Sequence, residues 1–279
     1  MNKLNFISGL PRSGSTLLSS ILSQNPKFHA GMSSPAGSII NNTLEQIGAG
    51  SEFYSFFDED KRRKMCRAIM DVYYEDQQDK QVVFDTNRMW TARLHQLTDL
   101  YDDFKVICCV RNPAWVMDSF EKIYRKNPFN YSKMFAPANR QTVYSRCESM
   151  IGGGIVGTAW TALKEAYYGE HSDKLLLIDY ELLTMHPEKS LSLIYDFIGE
   201  EIFPHDFNNV GFSHDEFDYT IGVKGLHDVK RKVEYKSRRS ILPPDLFQKY
   251  SEMAFWSDTS ATAASVIAPK KNQLIGIQK

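Results

Sequence analysis

The sequence predicts an α/β fold of three layers, in which a central parallel sheet is flanked by helices. Short apolar runs alternate with longer amphipathic runs along the chain. Apolar runs of this continuous kind, separated by helices, are typical of a parallel sheet that is covered on both faces. In addition, the first apolar run leads through a glycine-bounded loop into a helix.

The predicted strands are four short apolar runs: Leu4 to Ser8, Gln81 to Asp85, Lys105 to Val110, and Lys174 to Ile178. The first helix is expected from Ser15 to Ser23, because the residue before a proline, in Asn25-Pro26, disfavours helical geometry. A second helix is expected from about Asp58 to Tyr74. We interpret its basic run, Lys61 to Lys64, as a solvated face.

Length and composition indicate one domain over residues 1–256 and a tail over residues 257–279. A chain of 279 residues is long enough to bury a sizeable core. The net charge of −1 and the hydrophobic fraction of 42% exclude a disordered chain and do not indicate a nucleic-acid partner. The tail is poor in core-forming residues, so we expect a flexible end or an arm on a partner subunit.

The four cysteines have no metal-ligand spacing, and we interpret them as reduced core residues. Cys108 and Cys109 are adjacent in a predicted strand and should therefore point to opposite faces of the sheet. The first strand begins by Leu4, which leaves no room for a signal peptide. Since no apolar run approaches the ~20 residues that span a bilayer, we expect a cytoplasmic protein without a membrane anchor.

A long insertion is expected at about residues 126–157, where the alternating pattern is lost. This stretch is rich in aromatic residues and contains Gly152-Gly153-Gly154. Loops of this length are usually functional lids or disordered segments. The aromatic content favours a lid that covers an acceptor pocket.

The loop between the first strand and the first helix predicts an oxyanion site. Backbone N–H groups of such a loop converge at a helix start, where the helix dipole also favours negative charge. The spacing from Gly9 to Gly14 is that of a P-loop, but Ser15 stands where a nucleotide triphosphatase has lysine. Arg12 offers a guanidinium fork instead, and Ser13, Ser15 and Thr16 add hydroxyl groups. The alternative is an ordinary turn at a helix start.

A second anion site is expected where the strand from Lys105 to Val110 ends at Arg111. Asn112-Pro113 supplies a helix N-cap followed by proline at the first helical position. Ser119 follows Arg111 by eight residues, so whether both reach one anion depends on how the helix lies. The alternative is that Arg111 neutralises a nearby carboxylate.

The loop from Leu10 to Leu17 resembles the phosphosulfate-binding loop of the sulfotransferases that use PAPS (3′-phosphoadenosine 5′-phosphosulfate). Arg12 stands where that family has lysine or arginine. The Val-Arg-Asn-Pro segment with Ser119 resembles the family's 3′-phosphate motif, although Asn112 replaces the usual aspartate. Tyr180, followed by His186-Pro187-Glu188, resembles the family's adenine-side segment. Taken as a single residue, a tyrosine such as Tyr180 is more often a packing residue.

The three motifs occur in the family's order over about residues 5–200, nearest the tyrosylprotein and bacterial branches. The resemblance implies one P-loop-like sulfotransferase domain that moves a sulfuryl group from PAPS to a hydroxyl or amine, releasing PAP without a metal ion. The acceptor stays open among small molecules, saccharides and peptides. The alternatives are a small-molecule kinase and a nucleotide-binding module without catalysis. The donor-binding residues are expected to be Arg12, Ser13, Gly14, Ser15, Thr16, Arg111, Ser119 and Tyr180.

The resemblance implies that Arg12 is catalytic and stabilises the charge that develops on the bridging oxygen. It does not identify the general base. Ser33 stands where the tyrosylprotein branch has its glutamate, and Asp85-Thr86-Asn87 replaces the Lys-Thr-His of cytosolic members. Asp85 ends a strand at the predicted ligand edge and is therefore the predicted base. The alternative is that Asp85 caps the helix around Trp90.

Four further features are weaker candidates for the site. His29 and Glu45 are alternative bases. Arg88 would orient an acidic acceptor or pair with Asp85. The basic stretch from Lys224 to Arg239 would fold over the nucleotide, as in the family, or form a solvated surface.

Overall fold

A computed structural model describes residues 3–126, 141–211 and 229–269. In these residues six parallel strands form one sheet in the order β2-β3-β1-β4-β5-β6. This arrangement confirms the predicted α/β class. The strands are β1 Lys3–Gly9, β2 Phe28–Ala30, β3 Val82–Thr86, β4 Val106–Val110, β5 Leu175–Asp179 and β6 Ser265–Ile267.

Helices cover both faces of the sheet. A 3₁₀ helix at Arg88–Arg93 also connects β3 to the next α-helix. The α-helices are α1 Ser15–Leu22, α2 Ala36–Ile47, α3 Glu59–Tyr73, α4 Leu94–Leu100, α5 Pro113–Lys126, α6 Val143–Ile151, α7 Ile155–Tyr168, α8 Tyr180–Met185, α9 Pro187–Ile198 and α10 Pro244–Ser251. The starts of α1 and α3 agree with the sequence, and the Asp58 carboxylate caps α3 by accepting from the Lys61 N–H at 2.8 Å.

Alternate residues of each strand contribute to two separate cores. Cys108 packs in the core formed with α2, α3, α4 and α7, whereas Cys109 packs in the core formed with α1 and α9. This confirms that the adjacent cysteines point to opposite faces. All four cysteines are buried as free thiols.

Two strands were missed by the sequence analysis. β2 and β6 have three residues each, and β6 pairs in parallel with β5 at the sheet edge. The expectation of a flexible end or a partner arm from residue 257 is therefore wrong for Ser265–Ile267. So short a strand is held by backbone pairing to its neighbour, which no apolar pattern in the sequence reveals. The boundary of the domain at residue 256 stays a prediction.

The predicted lid falls partly on residues 127–140, which lie outside the described residues. Its remainder is helical, because α6 and the start of α7 occupy residues 143–157. Cys147 and Met150 of α6 pack in a third core with α5 and α10. The lid expectation is therefore wrong for this part, where glycines separate two packed helices. In the described part of the chain, no helix is both long and apolar enough to cross a membrane.

The junction between β1 and β4 sets the position of the loop that follows β1. The Leu10 N–H donates to the Cys109 carbonyl at 2.9 Å. Gly9 has a φ of +110°, and a Cβ there would overlap the Cys109 carbonyl and lie 2.6 Å from the Cys109 nitrogen. Strand order reverses at β1, which is the place where open α/β sheets bind ligands.

We expect Gly9→Ala to destabilise the protein more than Gly50→Ala. Gly50 has a φ of +95°, and a Cβ there would meet nothing within 4 Å, so this control carries the backbone strain alone. That strain costs about 1–2 kcal/mol. Gly9→Ala should cost about 1–3 kcal/mol more, because the sheet must shift to admit the methyl group. Urea unfolding of both variants measures the difference, and equal losses would contradict a close β1–β4 approach.

Candidate active site

The loop after β1 presents a helix start that no side chain caps. Gly14, with a φ of 93°, is the N-cap residue of α1 and makes no side-chain cap hydrogen bond. The first N–H groups of α1 therefore lack side-chain acceptors from the cap position, as in helix N-termini that bind anions. Ser15 and Thr16 are half-buried at this helix start.

Arg12 joins this loop to α5. Its Nε donates to the Ser119 Oγ at 3.2 Å. Its φ is +61°, a left-handed conformation that is uncommon for a side chain other than glycine, asparagine or aspartate, and such strain concentrates at functional sites. Ser13 is buried, and its hydroxyl faces the Pro11 carbonyl at 3.4 Å. Its backbone N–H, rather than its hydroxyl, is thus the group expected to meet an anion.

Arg111 lies just after β4, next to the capped start of α5. Asn112 Oδ1 accepts from the Ala114 N–H at 3.0 Å, which confirms the predicted cap. Arg111 Nε donates to Glu181 Oε1 at 2.8 Å, so the expected alternative, pairing with a carboxylate, does occur. Among the residues that the structure describes, this pair engages only Nε. The two terminal nitrogens of Arg111 are therefore left for a further anion.

Tyr180 connects the two predicted anion sites. The Arg111 guanidinium lies over the Tyr180 ring, 4.3 Å from its centroid. A Cβ at Gly14 would lie 2.7 Å from Tyr180 Cδ2, so the ring packs directly on the start of α1. The structure thus brings together Arg12, Gly14, Arg111, Ser119 and Tyr180, which the sequence placed in three separate motifs.

Asp85 is fully buried and hydrogen-bonded through both of its oxygens. Oδ1 accepts from Trp90 Nε1 at 2.6 Å, and Oδ2 accepts from the Tyr74 hydroxyl at 2.8 Å. Burial raises the pKa of the Asp85 carboxyl, although hydrogen bonds from Ser34, Tyr74 and Trp90 act in the opposite direction. These contacts join β3 to α3 and to the 3₁₀ helix.

The suggestion that Asp85 caps the helix around Trp90 is wrong. Asn87 is the cap, since its Oδ1 accepts from the Met89 N–H at 3.1 Å. Because Asp85 has no exposed surface, the side chains around it would have to move before it could reach an acceptor. The contacts favour a positioning role, and the role of Asp85 as general base stays a prediction.

The other candidate bases differ in their surroundings. His29 lies on β2 beside Tyr74, with 5.5 Å between ring centroids, and burial lowers its pKa so that the neutral imidazole is favoured. Glu45 is exposed on α2 and accepts from Asn41 Nδ2 at 2.7 Å, as a helix-surface pair. His29 therefore belongs to the cluster around Asp85, whereas Glu45 lies on the helix surface.

Asp118 is a site residue that sequence reasoning missed. It is fully buried next to Ser119 and accepts from Ser240 Oγ at 2.9 Å, from the Ile241 N–H at 2.7 Å, and from Arg238. These contacts hold the end of the basic stretch against α5, while its residues 224–228 lie outside the described residues. The sequence feature that could have revealed Asp118 is the presence of an acidic residue on the apolar face of the amphipathic helix α5.

One group of side chains could hold a metal ion among the described residues: His95, Glu170 and His171. Glu170 and His171 come shortly before β5, at the amino edge of the sheet. The loop from Leu10 to Gly14, called the donor loop after its predicted role, follows β1 at the opposite, carboxyl edge. This group is therefore separate from the anion sites.

Comparison with known proteins identifies the family of the chain. The profile described as "Sulfotransferase family" matches residues 6–205. The chain belongs to the sulfotransferase family. This enzyme therefore transfers sulfo groups. A search of curated protein sequences finds no significant match.

Solved sulfotransferase structures share the fold at low sequence identity. The sulfotransferase domain from the curacin biosynthetic pathway is 17% identical, with a TM-score of 0.50 over 99% of this chain and 96% of that one. Sulfotransferase STF9 from Mycobacterium avium is 11% identical, with a TM-score of 0.50 over 95% and 79% of the two chains. At these identities the likeness shows the fold alone.

We expect Asp85→Asn to lower the free energy of unfolding by about 1–3 kcal/mol. The reason is that the amide NH₂ of asparagine would face either the Tyr74 hydroxyl or Trp90 Nε1, both of which now donate to Asp85. Asp71→Asn, at an exposed position of α3, is the control and should stay within about 0.5 kcal/mol of the parent. Urea unfolding measures both. Unchanged stability with turnover reduced about 10²–10⁴-fold would instead support the general-base role.

Proposed function

We propose that this sulfotransferase takes its sulfuryl group from PAPS and transfers it to a hydroxyl or amine. The observation that carries the proposal is the pairing of two anion subsites on neighbouring strands. One follows β1 and the other follows β4, and the Arg12–Ser119 hydrogen bond joins them. Two separate subsites suit a donor with two separated phosphate groups.

The donor is assigned to these subsites by charge and shape. The 5′-phosphosulfate would lie on the loop from Arg12 to Thr16, where N–H groups and the α1 dipole favour an anion. The 3′-phosphate would lie between the terminal nitrogens of Arg111 and the Ser119 hydroxyl. The adenine would lie beside Tyr180, which offers an aromatic face and a hydroxyl group.

The reaction requires charge stabilisation and a proton acceptor. The acceptor oxygen or nitrogen attacks sulfur in line, and the bond from sulfur to the 5′-phosphate oxygen breaks. Negative charge grows on that oxygen as PAP leaves. Arg12 and the loop N–H groups would stabilise this charge, and the acceptor's proton would pass to a base, for which Asp85 is the predicted residue.

Fixed cations at both subsites supply the charge compensation that magnesium ions supply in phosphoryl transfer. We therefore propose transfer without a metal ion. The kinase alternative lacks support here, because Ser15 occupies the position of the P-loop lysine. The acceptor class, among small molecules, saccharides and peptides, and the cytoplasmic location stay predictions.

We expect Arg111→Ala to weaken PAP binding by about 1.5–3 kcal/mol, the range for a hydrogen bond to a charged group. Binding of adenosine 5′-phosphosulfate should be unchanged, because that nucleotide lacks the 3′-phosphate. Calorimetry in the presence of EDTA measures both ligands.

Glu181→Gln is the matched control for this experiment, since it removes the carboxylate that pairs with Arg111 but keeps the guanidinium. It should leave PAP affinity unchanged or raise it, because it removes a negative charge next to the proposed 3′-phosphate subsite. If Arg111→Ala weakens both nucleotides equally, or if Glu181→Gln weakens PAP as much as Arg111→Ala does, Arg111 has a structural role only.

A further inference from the structure

We propose that Arg88 binds an anionic group of the acceptor, a carboxylate or a phosphate monoester, next to the hydroxyl or amine that receives the sulfuryl group. The inference rests on the proposed function, because it assigns the acceptor class to the same active site. The anionic group of the acceptor would bind on the β3 side of the donor loop, opposite the proposed nucleotide subsites.

The sheet order places Arg88 across the donor loop from the 3′-phosphate subsite. β1 lies between β3 and β4, and Arg111 with Ser119 follows β4. Arg88 begins the 3₁₀ helix just after β3, whose Thr86 pairs in register with Ile7 of β1. The nucleotide subsites lie towards β4 and β5, so we assign the acceptor to the β3 side of the loop that would hold the sulfuryl group.

The backbone around Arg88 is held firmly in place. Its carbonyl accepts from the Ser8 Oγ at 3.0 Å and from Thr91 Oγ1 at 3.3 Å. Asn87 caps the same helix and donates from Nδ2 to the Ser34 carbonyl at 2.9 Å. A fixed backbone beside the donor loop lets the side chain bind a ligand with little loss of backbone entropy.

The Arg88 guanidinium has no counterion within the described ranges. The pair with Asp85 that the sequence offered as the alternative is not formed in the described structure, where the Asp85 oxygens accept from Tyr74 and Trp90. The residue is exposed, although the protein around the guanidinium lowers its pKa through desolvation. Arg88 therefore presents a guanidinium that is open to solvent and has no carboxylate partner in the described part of the chain.

Two arginines that are less exposed than Arg88 do have carboxylate partners. Arg111 pairs with Glu181 at 2.8 Å, and Arg146 pairs with Glu121 at 2.7 Å. An anionic ligand would supply the charge partner that Arg88 lacks among the described residues. The guanidinium fork suits planar carboxylates and phosphates, which it binds through two parallel hydrogen bonds.

Binding of matched acid and neutral probes to the PAP-loaded protein tests the subsite without requiring turnover. The probe pairs are 4-hydroxyphenylacetate and its amide, glucuronate and glucose, and glycerol 3-phosphate and glycerol. We expect the acid of at least one pair to bind at least tenfold more tightly than its neutral partner. Arg88→Gln should abolish this preference, and Arg88→Lys should keep part of it.

Two controls separate this subsite from the donor site. PAP affinity should change less than twofold in Arg88→Gln. Arg63→Gln, at an exposed position on α3, should leave the acid preference intact. If the wild type shows no acid preference in any pair, or if Arg88→Gln weakens PAP instead, the proposal is overturned.

Turnover separates an acceptor role from a role at the sulfuryl group. If Arg88→Gln lowers turnover equally for the acid and neutral members of a pair, Arg88 acts on the transferring group, and the proposal is overturned. If PAP does not bind at all, the proposed function fails independently. The probes are then titrated into the free protein, where an acid preference that depends on Arg88 still supports the subsite and its absence overturns it.

Discussion

The contact between the ends of β1 and β4 is the constraint on which the active site depends. Gly9 is paired in register with Cys109, and the Leu10 N–H donates to the Cys109 carbonyl at 2.9 Å. The donor loop starts at this point, and Arg111 follows Cys109 by two residues. Because both proposed anion subsites follow directly from one pair of strand ends, the sheet rather than the loops would set the distance between them.

Positive charge at the site is local, since the whole chain has a net charge of −1. Arg111 contacts both Glu181 and the Tyr180 ring. This pairing limits the cost of holding a guanidinium in a half-buried place, and it leaves the terminal nitrogens for a phosphate. On the other side of the loop, Asp85 accepts from Tyr74 and Trp90, and Arg88, three residues later, has no carboxylate partner among the described residues. The arginine on the β4 side thus has a carboxylate partner, whereas the arginine on the β3 side has none among the described residues.

Much of the site could be predicted because its signals are local in sequence. The glycine-bounded loop, the Asn112-Pro113 helix start and the strand ends each occupy a few consecutive residues. Such patterns depend on backbone geometry, which neighbouring residues determine. The order of these motifs also sufficed to identify the family.

The missed features depend on contacts between distant segments. Asp118 accepts hydrogen bonds from residues about 120 positions later. The two partners of Asp85 lie in different elements, since Tyr74 follows α3 and Trp90 lies in the 3₁₀ helix. β6 exists because β5 offers a free edge, and its own residues show no strand pattern. The residue pattern within one segment does not predict such contacts between distant segments.

The two-subsite arrangement is tested most directly by a crystal structure of the protein with PAP. The account predicts the 5′-phosphate on the N–H groups between Arg12 and Thr16. It predicts the 3′-phosphate within hydrogen-bond distance of Arg111 and Ser119, with the adenine beside Tyr180. A bound PAP whose 3′-phosphate lies on the β3 side of the loop, or away from both subsites, would contradict the account.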